Sequence, residues 1–253
     1  MTKSAEAPAK SAGQELKELV STVVTALAIA LVLRVALFQP FTIPSSSMEP
    51  GLVTGDYIIV SKFSYGWSYA SFPLLPPMGE GRVLGKGPQR GDVVVFHLPS
   101  DTRKDLIKRV VGLPGDRVQV MEGVLLINDK PIPRKVDGPG FDHDDPEQQV
   151  TQVLESKPDG STYVTFDRGP GRPMDDTQTY VVPAGHYFMM GDNRDNSLDS
   201  RFPPEVGGVG YVPEEAIIGK AQIVLMSWKA GSSLFKPWTW LNLDGGRFFK
   251  KID

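Results

Sequence analysis

Three observations point to a mainly β fold of antiparallel sheets, tethered to a membrane by one N-terminal helix. Gly 26 and Pro 22 together make 48 of 253 residues, about 19% against an average near 12%, a turn-rich composition that suits short strands better than a helical bundle. Nine short β-branched runs recur between turn residues, which suits hairpins. One apolar run, Leu19 to Phe38, stands near the N-terminus.

The elements follow in order. Residues 1–18 are rich in Ala, Ser and Lys, with no large apolar residue before Leu16, and are expected to form a disordered cytoplasmic tail or a frayed helix start. Residues 19–38 (LVSTVVTALAIALVLRVALF) carry Arg34 as their only charge. As a helix they span roughly 30 Å, the apolar thickness of a bilayer, and Arg34 can snorkel to the interface. A removable signal and a buried core helix are the weaker readings. Removable signals have an apolar core of about 7–15 residues followed by a small-x-small site, whereas Ala26, Ala28 and Ala30 lie inside this run and Gln39-Pro40-Phe41 follow it. Lys3, Lys10 and Lys17 precede the anchor and no Lys or Arg occurs from Gln39 to Ser61. That bias places the N-terminus in the cytoplasm and everything after Phe38 outside. No second apolar stretch is long enough to return the chain.

The outer part reads as a β domain, 39–127 and 179–253, around a smaller inserted β subdomain, 128–178. Strands are expected at Tyr57 to Val60, Val93 to Leu98, Leu106 to Val111, Val118 to Met121, Val124 to Ile127, Tyr163 to Phe166, Tyr180 to Val182, His186 to Met190 and Ala221 to Trp228. The insertion is polar and rich in Pro, Gly and Asp, with Tyr163 to Phe166 as its one good strand signal. Residues 63–78 hold five aromatic residues and no charge, which fits a buried loop and a membrane-interface contact equally.

Charge and cysteine narrow the chemistry. Lys+Arg 27 against Asp+Glu 30 leaves a net charge of −3, so bulk cationic attraction to nucleic acid is not expected. Cys 0 excludes disulfides, a thiolate metal centre and a thiol nucleophile. Just past the anchor, Ser45, Ser46 and Ser47 stand between Pro44 and Pro50 in what reads as an exposed, constrained turn. Nine residues separate Ser47 from Phe38, so Ser47 lies within roughly 30 Å of the membrane even if the chain is fully extended. A serine nucleophile needs a base. His97, His143 and His186 read as structural and suggest no Ser-His-Asp arrangement. Lys108, between Leu106-Ile107 and Val110-Val111, is the alternative. At its ordinary pKa only about one lysine in 2,500 is neutral at pH 7, so it can serve as a base only from an apolar site, which also suits an apolar peptide substrate. Asp192, Asn193, Asp195 and Asp199 invite a calcium reading, but the loop lacks the Gly and Glu of an EF-hand at the required offsets. Asp192 with Arg194 and Asp199 with Arg201 are expected as ion pairs that stiffen a loop presenting Ser197.

Four ordered segments carry a resemblance: residues 44–50 (PSSSMEP), 91–96 (GDVVVF), 108–116 (KRVVGLPGD) and 191–201 (GDNRDNSLDSR). Behind an N-terminal anchor they resemble the boxes of bacterial type I signal peptidases, and the likeness covers about residues 17–228. It implies Ser47 as nucleophile, Lys108 as general base, Ser45 as oxyanion-hole hydroxyl and Ser197 as the group orienting the lysine. Asp192, Arg194, Asp199 and Arg201 would be structural supports. Phe41, Ile43, Val95 and Ile107 would line shallow pockets for the small residues at positions −1 and −3 of a signal peptide. The implied partners are signal peptides of exported preproteins and the lipid bilayer of the bacterial cytoplasmic membrane. The implied enzyme is a monomer that needs no metal or cofactor.

The chain departs from the family pattern at Gly51, where a Thr is usual, and after Arg201, where FPPEVGGVGYVP replaces an aromatic-Trp-Gly continuation. Gly51 is expected to loosen its turn. Two competing readings are a self-cleaving, repressor-like Ser-Lys peptidase and an inactive membrane-tethered β domain that binds peptides.

Overall fold

The computed structural model describes residues 11–71, 81–143, 145–229, 232 and 236–252. Residues 1–10 of the expected tail and 72–78 of the aromatic segment lie outside the described residues.

Helix α1 runs from Ala12 to Val32, beginning ahead of the apolar run. Ser11 Oγ accepts from the Gln14 backbone N–H and Gln14 Oε1 accepts from the Ser11 N–H, a reciprocal cap that starts the helix there. It continues as a wider π turn over Leu33–Leu37, and Phe38 already belongs to a strand. Pro40 explains that end, because the residue before a proline is pushed out of the helical region. The whole stretch Ala12–Leu37 is long and apolar enough to cross a membrane, and α1 contains no buried residue.

The strands are β1 (Phe38–Thr42), β2 (Asp56–Ser61), β3 (Val93–Leu98), β4 (Asp101–Gly112), β5 (Arg117–Met121), β6 (Val124–Ile127), β7 (Lys130–Pro131) and β8 (Arg134–Phe141). They continue with β9 (Gln149–Ser156), β10 (Thr162–Asp167), β11 (Tyr180–Val181), β12 (His186–Met190), β13 (Tyr211–Pro213), β14 (Ile217–Ser227) and β15 (Lys250–Lys251). All pair antiparallel. The main sheet has the order β1-β2-β14-β3-β4-β12-β13, with β15 on β14; β11-β5-β6-β7 and β10-β9-β8 form two smaller sheets.

The main sheet is buried on both faces at its centre. Val93 and Val95 of β3 join one apolar cluster with Ile43, Met48 and Ile58, while Val94 and Phe96 join another with Val110 and Met189. A strand covered on both sides reads as a continuous apolar run, which is why both β3 and the second half of β4 were legible.

Each expected strand run falls on a strand; β1, β7, β8, β9, β13 and β15 were not anticipated, and β8 and β9 are the longest of these. β8 is an edge strand with a register shift between Val136 and Gly138, so it tolerates the Pro139 and glycines that read as loop. β9 hides its alternation because Glu155 is buried beside Val150 and Val153.

Candidate active site

The turn that carries Ser47 is a single 3-10 turn, Ser46–Met48, between β1 and β2. Met48 drops into the apolar cluster below it, while Ser45 stays exposed at its start. The two carbonyls of the turn are held from the loop after β12. The Asn193 N–H donates to Ser47 O at 3.2 Å and Asn193 Nδ2 donates to Ser46 O at 3.3 Å. Asn196 Nδ2 donates to Ser46 Oγ at 3.0 Å. These bonds leave the Ser47 hydroxyl facing Lys108.

Lys108 sits on β4 opposite Val94 of β3 and is 4% exposed. Its Nζ lies 2.6 Å from Ser47 Oγ. Burial lowers its pKa to about 8; Asp199 and Asp192 pull it upward and Arg201 pushes it down, but loss of water dominates. At that value about 10% of the lysine is neutral at pH 7, enough for it to act as a base. No histidine is hydrogen-bonded to Ser47: His97 contacts Asp105, His186 contacts the Ala184 carbonyl, and the His143 backbone N–H donates to Glu49.

The apolar residues expected beside Ser47 are brought together. Ile43 and Val95 are buried in one cluster, against which Phe41 and Ile107 pack, and Val95 faces Ile107 across the β3–β4 ladder. A separate cavity of about 320 Å³ near the turn is lined by residues including Met48, Pro50, Arg109 and Asp192, and by neither Ser47 nor Lys108.

The supporting charges pair differently from expectation. Asp199 does pair with Arg201, at 2.8 Å, and accepts the Gly191 N–H at 3.0 Å. Burial alone would raise the Asp199 carboxyl; Arg201 and these donors hold it below the usual range. Asp192, however, takes Arg109 rather than Arg194, through two bonds of 2.7 Å in which both side chains are almost fully buried. Arg109 follows Lys108 and faces Met190 across the β4–β12 ladder, so its guanidinium meets the loop that follows β12. Arg194 instead forms a bidentate pair with Glu155 of β9. The polar loop thus binds the β8–β10 sheet to the Ser46–Met48 turn. Asp142, paired with Arg168 at 2.6 Å, also accepts from Asn193 Nδ2 at 3.1 Å.

Ser197 is buried, and its Oγ has no hydrogen-bond partner among the described residues. The expected bond to Lys108 is therefore not formed, because the lysine makes its short contact with Ser47. Ser197 instead packs against Gly191, where an added Cβ would lie 2.3 Å from Ser197 Oγ and 2.4 Å from Ser47 O. Gly51 does not leave its turn loose: Arg247 donates to Gly51 O at 3.0 Å while pairing with Asp56. The atypical loop after Arg201 is packed, with the Phe202 and Val209 N–H groups both on Asp199 O. Among the described residues no three His, Asp or Glu side chains gather as metal ligands.

Asn193, Asn196, Asp142 and Glu155 are the contributors that sequence reasoning missed. The dense Asp-Asn-Arg-Asp-Asn turn was a signal for the asparagines. Asp142 and Glu155 gave none, since their partners are remote in the chain.

A serine hydroxyl against a buried, neutralisable lysine on a β scaffold is the pairing of hydroxyl and base that nucleophilic catalysis requires. The family described as "Signal peptidase, peptidase S26" matches residues 16–228. The signal peptidase I of Rickettsia typhi is 39% identical over 211 residues, covering 80% of this chain and 77% of that protein. That of Rickettsia canadensis is 38% identical over 228 residues, covering 87% and 82%. A crystal structure of a signal peptidase I from Enterococcus faecalis V583 is 25% identical with a TM-score of 0.33, covering 53% of this chain and 97% of that one. The chain belongs to the signal peptidase family, peptidase S26, and is a serine endopeptidase.

Proposed function

We propose that this chain is a single-pass membrane endopeptidase that removes N-terminal signal peptides from exported preproteins, cutting after small residues of the Ala-x-Ala type. The observation that carries the reading is the 2.6 Å contact between Lys108 Nζ and Ser47 Oγ, in a β domain that directly follows a helix able to cross a membrane.

Neutral Lys108 takes the Ser47 proton as Ser47 Oγ attacks the scissile carbonyl. The oxyanion is held by the Ser47 backbone N–H and the exposed Ser45 hydroxyl, a donor type worth about 3–4 kcal/mol. The lysine ammonium then gives its proton to the departing amine, which leaves as the new N-terminus of the mature protein. Lysine, neutral again, takes a proton from water, whose oxygen attacks the acyl carbon and releases the signal peptide from Ser47. The unpartnered Ser197 hydroxyl accepts from the ammonium between the step that takes the Ser47 proton and the step that passes it to the leaving amine. Asp192, Arg194, Asp199 and Arg201 keep the loop rigid through their buried pairs. Phe41, Ile43, Val95 and Ile107 receive the small side chains at −1 and −3.

The membrane is the bacterial cytoplasmic membrane, with the N-terminus inside and the β domain on the outer face. The Lys3, Lys10 and Lys17 bias supports that orientation. No second copy is required, since all these residues come from one chain.

The test is purified full-length protein acting on an Ala-x-Ala preprotein, with N-terminal sequencing of the product. Cleavage directly after the second small residue is expected, and an intact preprotein would refute the reading. Protease protection of residues 39–253 in spheroplasts would overturn the orientation.

A further inference from the structure

The mechanism treats the helix only as a tether, yet its C-terminal end is built into the β domain. Helix ends leave carbonyls without intrahelical donors, and here the β domain supplies them. Lys62 Nζ donates to Val35 O at 3.3 Å, Trp67 Nε1 donates to Ala36 O at 2.7 Å, and the Lys62 N–H donates to Leu37 O at 2.9 Å. Lys62 Nζ also reaches Ser71 O at 2.5 Å, and the residue is 1% exposed. Burying an ammonium is costly unless it gains good partners, and half of this one's partners belong to the anchor.

The segment making these bonds is itself fixed. Trp67 exchanges two backbone bonds with Val83. Arg82 donates to the carbonyls of Tyr65, Gly66, Glu214 and Ile217 at 2.8–2.9 Å. Ile217 opens β14, the strand between β2 and β3. A second path is covalent: β1 leaves the π turn at Phe38, pairs with β2 from Phe38↔Ser61 to Thr42↔Tyr57, and leads through Phe41 and Ile43 to Ser47. Phe38 and Phe63 meet edge to face at 5.4 Å at this junction, 40% and 46% exposed, where aromatic rings suit a headgroup region.

We propose that Lys62 and Trp67 clamp the anchor to the β domain, so that helix and domain form one rigid body holding Ser47 at a fixed height over the lipid surface. The inference rests on the proposed function, in which the substrate's apolar segment lies in the same bilayer. A preprotein embedded there can present its cleavage site at only one depth, and the clamp matches Ser47 to that depth. A short soluble peptide has no such constraint. Lys62 and Trp67 are therefore positioning residues that matter for one substrate form and not the other.

The test uses the full chain in vesicles of phosphatidylethanolamine and phosphatidylglycerol. Lys62→Met and Trp67→Phe each remove a donor while keeping the bulk. For a preprotein embedded in the same vesicles, kcat/KM should fall about tenfold in each variant, with cleavage of a soluble peptide staying within about twofold of wild type. Equal loss on both substrates, or no loss on either, overturns the clamp. Spin labels at the exposed Val24 and Val136 read the geometry independently of activity: one narrow distance in wild type that broadens in each variant is expected, and a broad distribution already in wild type overturns it. A wild type that cleaves neither substrate refutes the proposed function instead, and the label distances still decide the clamp.

Discussion

Lys108 Nζ lies 2.6 Å from Ser47 Oγ, joining two residues that stand 61 positions apart in the chain. The contact is made where β4 is buried on both faces, so the strand that delivers the lysine also removes its water. Position and basicity thus share one cause.

The first consequence is a pH profile. With Lys108 held at about 8, kcat/KM on a soluble peptide should rise about tenfold per pH unit up to about 8 and level off above it. Burial, followed by the Arg34 charge, also lowers Lys62 to about 8. Lys62→Met must therefore leave the midpoint where it is; a midpoint that moves with Lys62 would take the assignment away from Lys108.

The second consequence concerns stability. The folded-state pKa of Lys108 lies below its unfolded value of 10.5, so the charged lysine opposes folding. That cost, on the order of 3 kcal/mol, is fully present below pH 8 and fades as the pH rises towards 10.5. Lys108→Met should raise the denaturation midpoint at pH 7, with the gap closing by about pH 10.5. Chemical denaturation at both pH values checks this, and a gap independent of pH would contradict it.

Asn193 tests the Ser46–Met48 turn. It supplies donors to the Ser46 and Ser47 carbonyls and to Asp142. Asn193→Ala should lower kcat about tenfold with KM within about twofold, because the turn loses positioning and not substrate contact. Steady-state kinetics on a soluble peptide separates the two, and an unchanged kcat would show that the turn holds without the asparagine.

Gly191 tests how tightly the same parts fit. A methyl there would lie 2.3 Å from Ser197 Oγ and 2.4 Å from Ser47 O, so one of them must move. Gly191→Ala should cost about 100-fold or more in kcat, the scale set by ångström misplacement of a reacting group. Turnover within a few fold of wild type would mean that the Ser46–Met48 turn tolerates the shift.

Much of this was legible before any coordinate. Ser47 and Lys108 stand in segments whose composition alone marks them, a proline-flanked serine turn and a lysine in an apolar run. The nine anticipated strands were visible because burial on one or both faces leaves an apolar signature. The buried pair of Asp199 with Arg201 was legible too, whereas the partners of Asp192 and Arg194 stayed hidden. Asp192 finds Arg109 at a separation of 83 residues, and Arg194 finds Glu155 at 39, whereas the sequence offered only neighbours two residues away. β8 and β9 were missed for a related reason: an edge strand tolerates glycine and proline, and a buried Glu155 breaks the apolar alternation that marks a strand.

The proposed chemistry rests on Lys108 serving as the base for Ser47. Its most direct test is the rate at which the purified full-length protein cleaves an Ala-x-Ala preprotein at about pH 8, wild type beside Lys108→Ala. The variant should fold and bind substrate yet lose about 10³-fold or more in turnover. A Lys108→Ala protein that retains cleavage within tenfold of wild type would contradict the assignment.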